Sequence, residues 1–187
     1  TSTQRQFYCI LNGNAGVKYG LVQDAPGGTV LYNFSVTVMG DDNTLSPLIK
    51  KDSVIDTAYD GKGLEIKDEL TIGKQGNVSN LVINAKVENQ GIISNSSLKV
   101  DGEINGGSLS GTITNEGTLR DFEFLGIVLK GGTLAGNILN NSRVGGKFVD
   151  VTLAPDTKIT GGILEGKIQG DCAKPAFLDK VRIKAGS

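Results

Sequence analysis

Residues 131–139 read Gly131-Gly132-Thr133-Leu134-Ala135-Gly136-Asn137-Ile138-Leu139, and the phrase inside them, Gly-x-Leu-x-Gly-x-Ile, also occurs at 107–113 and at 162–168. Two of the three copies contain no ionisable residue, which points to an architectural role. Side chains alternate across a strand with period two. Leu109, Gly111 and Ile113 therefore fall on one face and Ser110 and Thr112 on the other. The same division sets Leu134, Gly136 and Ile138 against Ala135 and Asn137, and Leu164, Gly166 and Ile168 against Glu165 and Lys167. Val100-x-Gly102-x-Ile104 and Val144-x-Gly146-x-Phe148 fit the same frame. A helix is disfavoured, because a central glycine costs about 1 kcal/mol relative to alanine there.

A second phrase lies between copies of the first: an apolar residue, two positions that usually include Asn or Asp, then apolar-x-apolar. It begins at Leu31, Val78, Leu119, Phe148 and Leu178. A step of three residues followed by a step of two cannot keep every apolar group on one side of a straight strand, so it predicts a corner. Asn33, Asn80, Asp121 and Asp150 fall at that corner, where short polar side chains tolerate left-handed backbone angles. The first phrase recurs after 25 and 30 residues, and the last three corner phrases after 29 and 30. Such a period, holding two or three short strands, predicts one turn of a parallel solenoid with the copies near 109, 134 and 164 stacked as neighbours. An antiparallel sandwich is the rival all-β arrangement.

Composition agrees with short strands and tight turns, with 27 glycines among 187 residues and only 4 prolines. Nineteen Lys and Arg against 20 Asp and Glu offer no overall basic bias toward nucleic acid. The absence of histidine excludes a Ser-His-Asp triad, and two cysteines cannot supply an all-thiolate zinc site. With no tryptophan, sugar stacking would fall to Tyr8, Tyr19, Tyr32 and Tyr59. No apolar run approaches the roughly 20 residues of a membrane-spanning helix, so no membrane span is expected. The sequence starts at Thr1 without a methionine, consistent with a removed leader or an excised piece.

These phrases resemble the coils of right-handed parallel β-helix proteins, a group that includes bacterial surface adhesins, fibre-forming bactofilins, phage tail spikes and polysaccharide lyases. The resemblance covers roughly 78–183. It implies an all-β parallel β-helix, with residues 77–187 as regular coils; the looser patterning of 1–76 reads as irregular first coils or a cap, with a separate small β-domain as the alternative. Within that group the chain is expected to be a non-catalytic structural protein, a secreted bacterial filament subunit or cell-surface adhesin segment assembling head to tail. The alternative is a carbohydrate-binding or polysaccharide-cleaving β-helix. The expected partners are therefore further copies of the chain and, second, a polysaccharide. No cofactor, metal, catalytic residue or nucleic acid is expected.

Several residues invite a chemical reading. Asp41, Asp42, Asp60, Asp68 and Glu69 have the chemistry of calcium ligands but not the EF-hand spacing, and solvated turns account for them. Lyases resembling pectate lyase cluster acidic ligands beside a basic residue. Arg120, Asp121, Arg143, Lys147 and Asp150 are the candidates here, against a simple solubilising surface. Gly-Gly pairs beginning at 27, 106, 131, 145 and 161 lack phosphate-loop context and read as turns. Asn33, Asn77, Asn95 and Asn140 open glycan-acceptor triplets. Cys9 and Cys172 are the disulfide candidates, lying near opposite ends of the chain. They could meet within one chain only if the N-terminal segment runs back along the coils, or between copies stacked first coil on last. Two small buried thiols are the other option.

Overall fold

A computed structural model describes residues 18–22, 30–35 and 53–184. The chain divides into two compact units, 1–48 and 49–187. In the first, Lys18–Val22 and Val30–Ser35 pair antiparallel, with Tyr19 opposite Phe34 and Leu21 opposite Tyr32. Asn33 sits within this strand opposite Gly20. The corner expected there is absent because the apolar residues serve an antiparallel ladder instead.

The second unit is a parallel β-solenoid of eight coils. Each coil has three short strands, and the strands stack into three eight-stranded parallel sheets. Side one runs from Ser53–Ile55 to Gln169–Gly170, side two from Ala58–Asp60 to Phe177–Asp179, and side three from Glu65–Ile66 to Arg182–Lys184. At the usual strand spacing the stack is about 34 Å long. Every ladder in this unit is parallel, which removes the sandwich as an alternative. Regular coils begin at Ser53, ahead of the boundary expected at 77.

The three Gly-x-Leu-x-Gly-x-Ile copies lie on different sides, contrary to the expectation that they stack on one another. Leu109 on side two pairs with Ile93 and Phe124. Leu134 on side one pairs with Leu119 and Leu153. Leu164 on side three pairs with Phe148 and Ile183. Successive coils are offset by 15 to 21 residues, so a spacing of 25 to 30 is longer than one coil. It corresponds to five sides, one and two-thirds turns.

What each phrase encodes is one complete side bounded by two corners. Gly107, Gly132 and Gly162 open it, and Gly111, Gly136 and Gly166 close it, all with positive φ. Alternation alone puts the closing glycine on the inner row of a strand. It is instead the bend onto the next side, and the isoleucines two residues later at 113 and 138 are buried there.

Glycine is required at these corners because a side chain from the preceding coil occupies the space a Cβ would need. Asn89, Asn115 and Asn140 press on Gly107, Gly132 and Gly162, and Asn95, Asp121 and Asp150 press on Gly111, Gly136 and Gly166. Both sets make backbone bonds in return. Asn115 Oδ1 accepts from Gly117 N at 3.0 Å, and its Nδ2 donates to the carbonyls of Gly131 at 3.3 Å and Thr133 at 3.5 Å in the coil above. Asn89 repeats the pattern with Gly91, Gly106 and Ser108. On the outer rim, Oδ1 of Asn95, Asp121 and Asp150 accepts from Thr112 N at 3.1 Å, Asn137 N at 2.7 Å and Lys167 N at 2.9 Å. Each corner of the triangle thus carries one buried asparagine and one outer Asn or Asp; all but Asn140 bond to the next coil, while Asn140 packs against Gly162 of the next coil and bonds to Gly146 and Ser142 of its own.

Asp121, with φ of 52°, gives a direct test of the outer tie. Asp121→Asn keeps the acceptor, as Asn95 does at another corner, and is expected to be nearly neutral. Asp121→Ala loses the bond and puts a Cβ-bearing residue without a local hydrogen bond in the left-handed region, for a loss of about 2 kcal/mol in urea unfolding. Asp121→Gly, free of that backbone penalty, should fall between them.

Inside the triangle, aliphatic side chains form one continuous core from Ile55 to Leu164. Phe122, Phe124 and Phe148 enlarge it in the fifth and sixth coils, where Gly126 and Gly146 leave room for the Phe124 ring. Val100 and Val144, expected inside by their phrases, are 73% and 72% exposed because they precede the strand and lie on its outer approach.

Candidate functional site

The residues with possible lyase chemistry are kept apart by the coil geometry. Arg120 is on side one, 3.6 Å from Glu103, and Lys147 is on side three, 3.0 Å from Glu165. Asp121 and Asp150 are corner residues at two different corners, their carboxylates engaged by backbone N–H groups. Arg143 lies in the exposed segment between Asn137–Asn140 and Lys147–Val149. Of the candidate calcium ligands, Asp68 and Glu69 are exposed between sides three and one, and Asp41 and Asp42 lie outside the described residues. Asp60 accepts from Asn80 Nδ2 at 2.8 Å and from Lys62 N at 3.1 Å, which hold its carboxyl below the usual range. Among the described residues no group of three or more His, Cys, Asp or Glu side chains is placed to hold a metal ion.

Tyr59 is half-buried against the core, and burial, with the neighbouring Asp60 charge, pushes its hydroxyl up to about 12. The Gly-Gly pairs at 106, 131 and 161 are the solenoid corners described above, while the pair at 27 lies outside the described residues. Asn77 and Asn95 are exposed, whereas Asn140 is buried with its amide bonded to the Gly146 carbonyl at 2.9 Å. Cys172 is an exposed free thiol in the eighth coil, and Cys9 lies outside the described residues.

A polar network crosses side one. Lys86 Nζ lies 2.9 Å from Glu88 Oε1, and Glu88 Oε2 accepts from Asn105 Nδ2 at 2.8 Å. The bond from Lys86, together with that from Asn105, outweighs partial desolvation and holds the Glu88 carboxyl below its ordinary 4.5. The bond to Glu88 raises Lys86 above its ordinary 10.5. A carboxyl depressed by folding stabilises the fold above its unfolded value, and that contribution is lost as pH falls through the folded value. A raised lysine stabilises below its unfolded value, and its contribution is lost as pH rises through the folded value. Glu88→Gln should therefore lower the urea midpoint most near neutrality, with the gap from wild type closing below pH 4.5 and above 10.5.

Two surfaces could receive a partner. A shallow groove of about 380 Å³ runs along the corner between sides two and three, lined by Asn80, Asn95, Ser97, Thr112 and Thr114. Its rim is neutral and rich in hydroxyl and amide groups. The other surface is the outer edge of the eighth coil. Leu178 stacks on Ile159 and Ile183 on Leu164 in register, yet they are 40% and 67% exposed while the residues beneath them are buried. Phe177 beside them is 58% exposed. Among the described residues, Gln169–Gly170, Phe177–Asp179 and Arg182–Lys184 each have a strand neighbour on one side only. Period-two patterning places Ile183 on the inner row, as observed, but it carries no information on what covers that row.

These features define the chain as a parallel β-solenoid. Comparison with protein-family models, curated proteins and solved structures finds no match, so no narrower family is shown. No helix among the described residues is long and apolar enough to cross a membrane.

Proposed function

We propose that the chain is a non-catalytic structural rod, secreted or displayed at a bacterial cell surface, whose copies join through their ends as a filament subunit or adhesin segment. The observation that carries this reading is the regular stack itself: eight coils of three parallel strands, tied to one another by Asn and Asp side chains at their corners. Head-to-tail stacking of such rods would generate open filaments. The rigid coils and their corner ties suit a load-bearing or spacing role. Negative-stain electron microscopy of the purified chain at increasing concentration tests it. Rods joined along their axes are expected, and particles that stay single at every concentration would count against the reading.

A second reading, glycan binding, is favoured by the neutral groove from Asn80 to Thr114. Hydroxyl and amide groups there match the hydrogen-bonding needs of an uncharged sugar chain. Titration calorimetry with neutral oligosaccharides tests this separately, with Thr112→Val and Thr114→Val expected to abolish any heat of binding.

A further inference from the structure

We infer that the neutral groove holds an uncharged β-1,4-linked glycan laid lengthwise along the solenoid, one sugar residue per coil, and that three residues fill it. The inference rests on the reading of this groove as a glycan site and adds which way the chain lies and how much of it is engaged. Charge is sorted between the sides of the coils that form the groove. Residues 76–85, 90–98 and 105–115, which build sides two and three of coils two to four, contain no Asp, Glu, Lys or Arg in a chain that is 21% charged. Side one of the third and fourth coils carries Lys86, Glu88 and Glu103. A surface kept only for solubility has no reason for that division. A ligand without charge supplies one, because a charged group covered by it would lose water and gain no partner.

The polar groups lining the groove are uncommitted. Among the described residues the hydroxyls of Ser97, Thr112 and Thr114 have no hydrogen-bond partner within the chain, and Asn80 Oδ1 is likewise open, its Nδ2 being held by Asp60 at 2.8 Å. Each hydroxyl can donate one bond and accept others. The ladder register sets how these groups repeat. Val82, Ser97 and Thr114 are partners on side three of coils two, three and four, with Glu65 before them and Lys130 after them. Charged residues thus bound the row at both ends, and it advances about 4.8 Å per coil. Equatorial linkages keep a β-1,4 glycan extended, and one of its sugars is close in length to that step. A chain lying along the row therefore meets equivalent positions once per residue for three coils, and then a charge. No aromatic side chain among the described residues lines the groove. Each contact is a hydrogen bond exchanged with water, so affinity accumulates with the number of sugars engaged.

Titration calorimetry with cello-oligosaccharides and N-acetylated chito-oligosaccharides of increasing length, and with malto-oligosaccharides as a chain that coils, tests the geometry. Affinity for the two extended series is expected to rise about three- to tenfold per residue up to the trisaccharide and by less than about twofold beyond it. Val82→Thr adds the hydroxyl that the row lacks. It should tighten the trisaccharide by about three- to tenfold while leaving the disaccharide, which Ser97 and Thr114 already accommodate, within about twofold of wild type. Lys130→Thr removes the charge at one end and should carry the rise in affinity on to the tetrasaccharide. Circular dichroism matching wild type confirms that both variants fold. Affinity that is flat with length or still climbing past the trisaccharide, equal binding of the coiled series, or a Val82→Thr chain no tighter than wild type would overturn the lengthwise arrangement while leaving glycan binding in the groove intact. No heat with any of the three series would remove both.

Discussion

Replacing Phe148 by alanine is expected to be the most damaging single change in the solenoid, at about 3–5 kcal/mol. Its ring is fully buried, with its centroid 5.2 Å from that of Phe124 and 6.3 Å from that of Phe122, the latter nearly edge-on. No neighbouring side chain is free to fill the cavity, because the surrounding positions are held by strand ladders above and below. In a stack where each coil touches only its neighbours, loosening the sixth coil also uncouples the seventh and eighth from the rest. Urea unfolding followed by circular dichroism should show a lower midpoint and a transition that broadens or splits. A loss under about 1 kcal/mol would show that the aromatic cluster does not hold these coils together.

Asn115→Asp should be the next most damaging, and its effect should depend on pH. The Asn115 amide donates to two backbone carbonyls. A carboxylate in that buried place would confront both with negative charge and no hydrogen to give. A loss of about 2–4 kcal/mol is expected at neutral pH. Protonation restores one donor, so the introduced carboxyl titrates higher in the fold than in the unfolded chain, and folding takes up a proton. Relative to wild type, the variant should regain stability as pH falls through that raised value. Asn115→Ala, which leaves the carbonyls unpaired without adding charge, should lose less and show no such recovery. Unfolding midpoints at several pH values separate the two, and a pH-independent gap for Asn115→Asp would refute this account.

How far this fold can be read from the sequence depends on which force sets each feature. The inward rows at Leu109, Leu134 and Leu164 are legible because alternation in a strand is local. The corners at Asn80, Asp121 and Asp150 are legible because left-handed angles select short polar residues, and their φ values of 56°, 52° and 54° agree. Stacking order is not local. A 25-residue recurrence fits one long coil as well as five short sides, and only the register distinguishes them. The glycines at 111, 136 and 166 escape local reading for a related reason: the side chain that demands them belongs to another coil. A detectable signal is present. Asn95, Asp121 and Asp150 are each followed 15 or 16 residues later by a glycine, at 111, 136 and 166. The edge of the eighth coil is beyond reach, since a leucine covered by a neighbour and one facing solvent are spelled alike.

The mismatch between a five-sided repeat and a three-sided coil has a consequence for how such a rod can change length. Asn89, Asn115 and Asn140 mark successive repeats, and each stands on a different corner. Adding one unit therefore turns the terminal surface by two-thirds of a revolution about the long axis. Three units together restore the original azimuth. Growth by single units would re-aim whatever the tip presents, while growth by triplets would extend it unrotated.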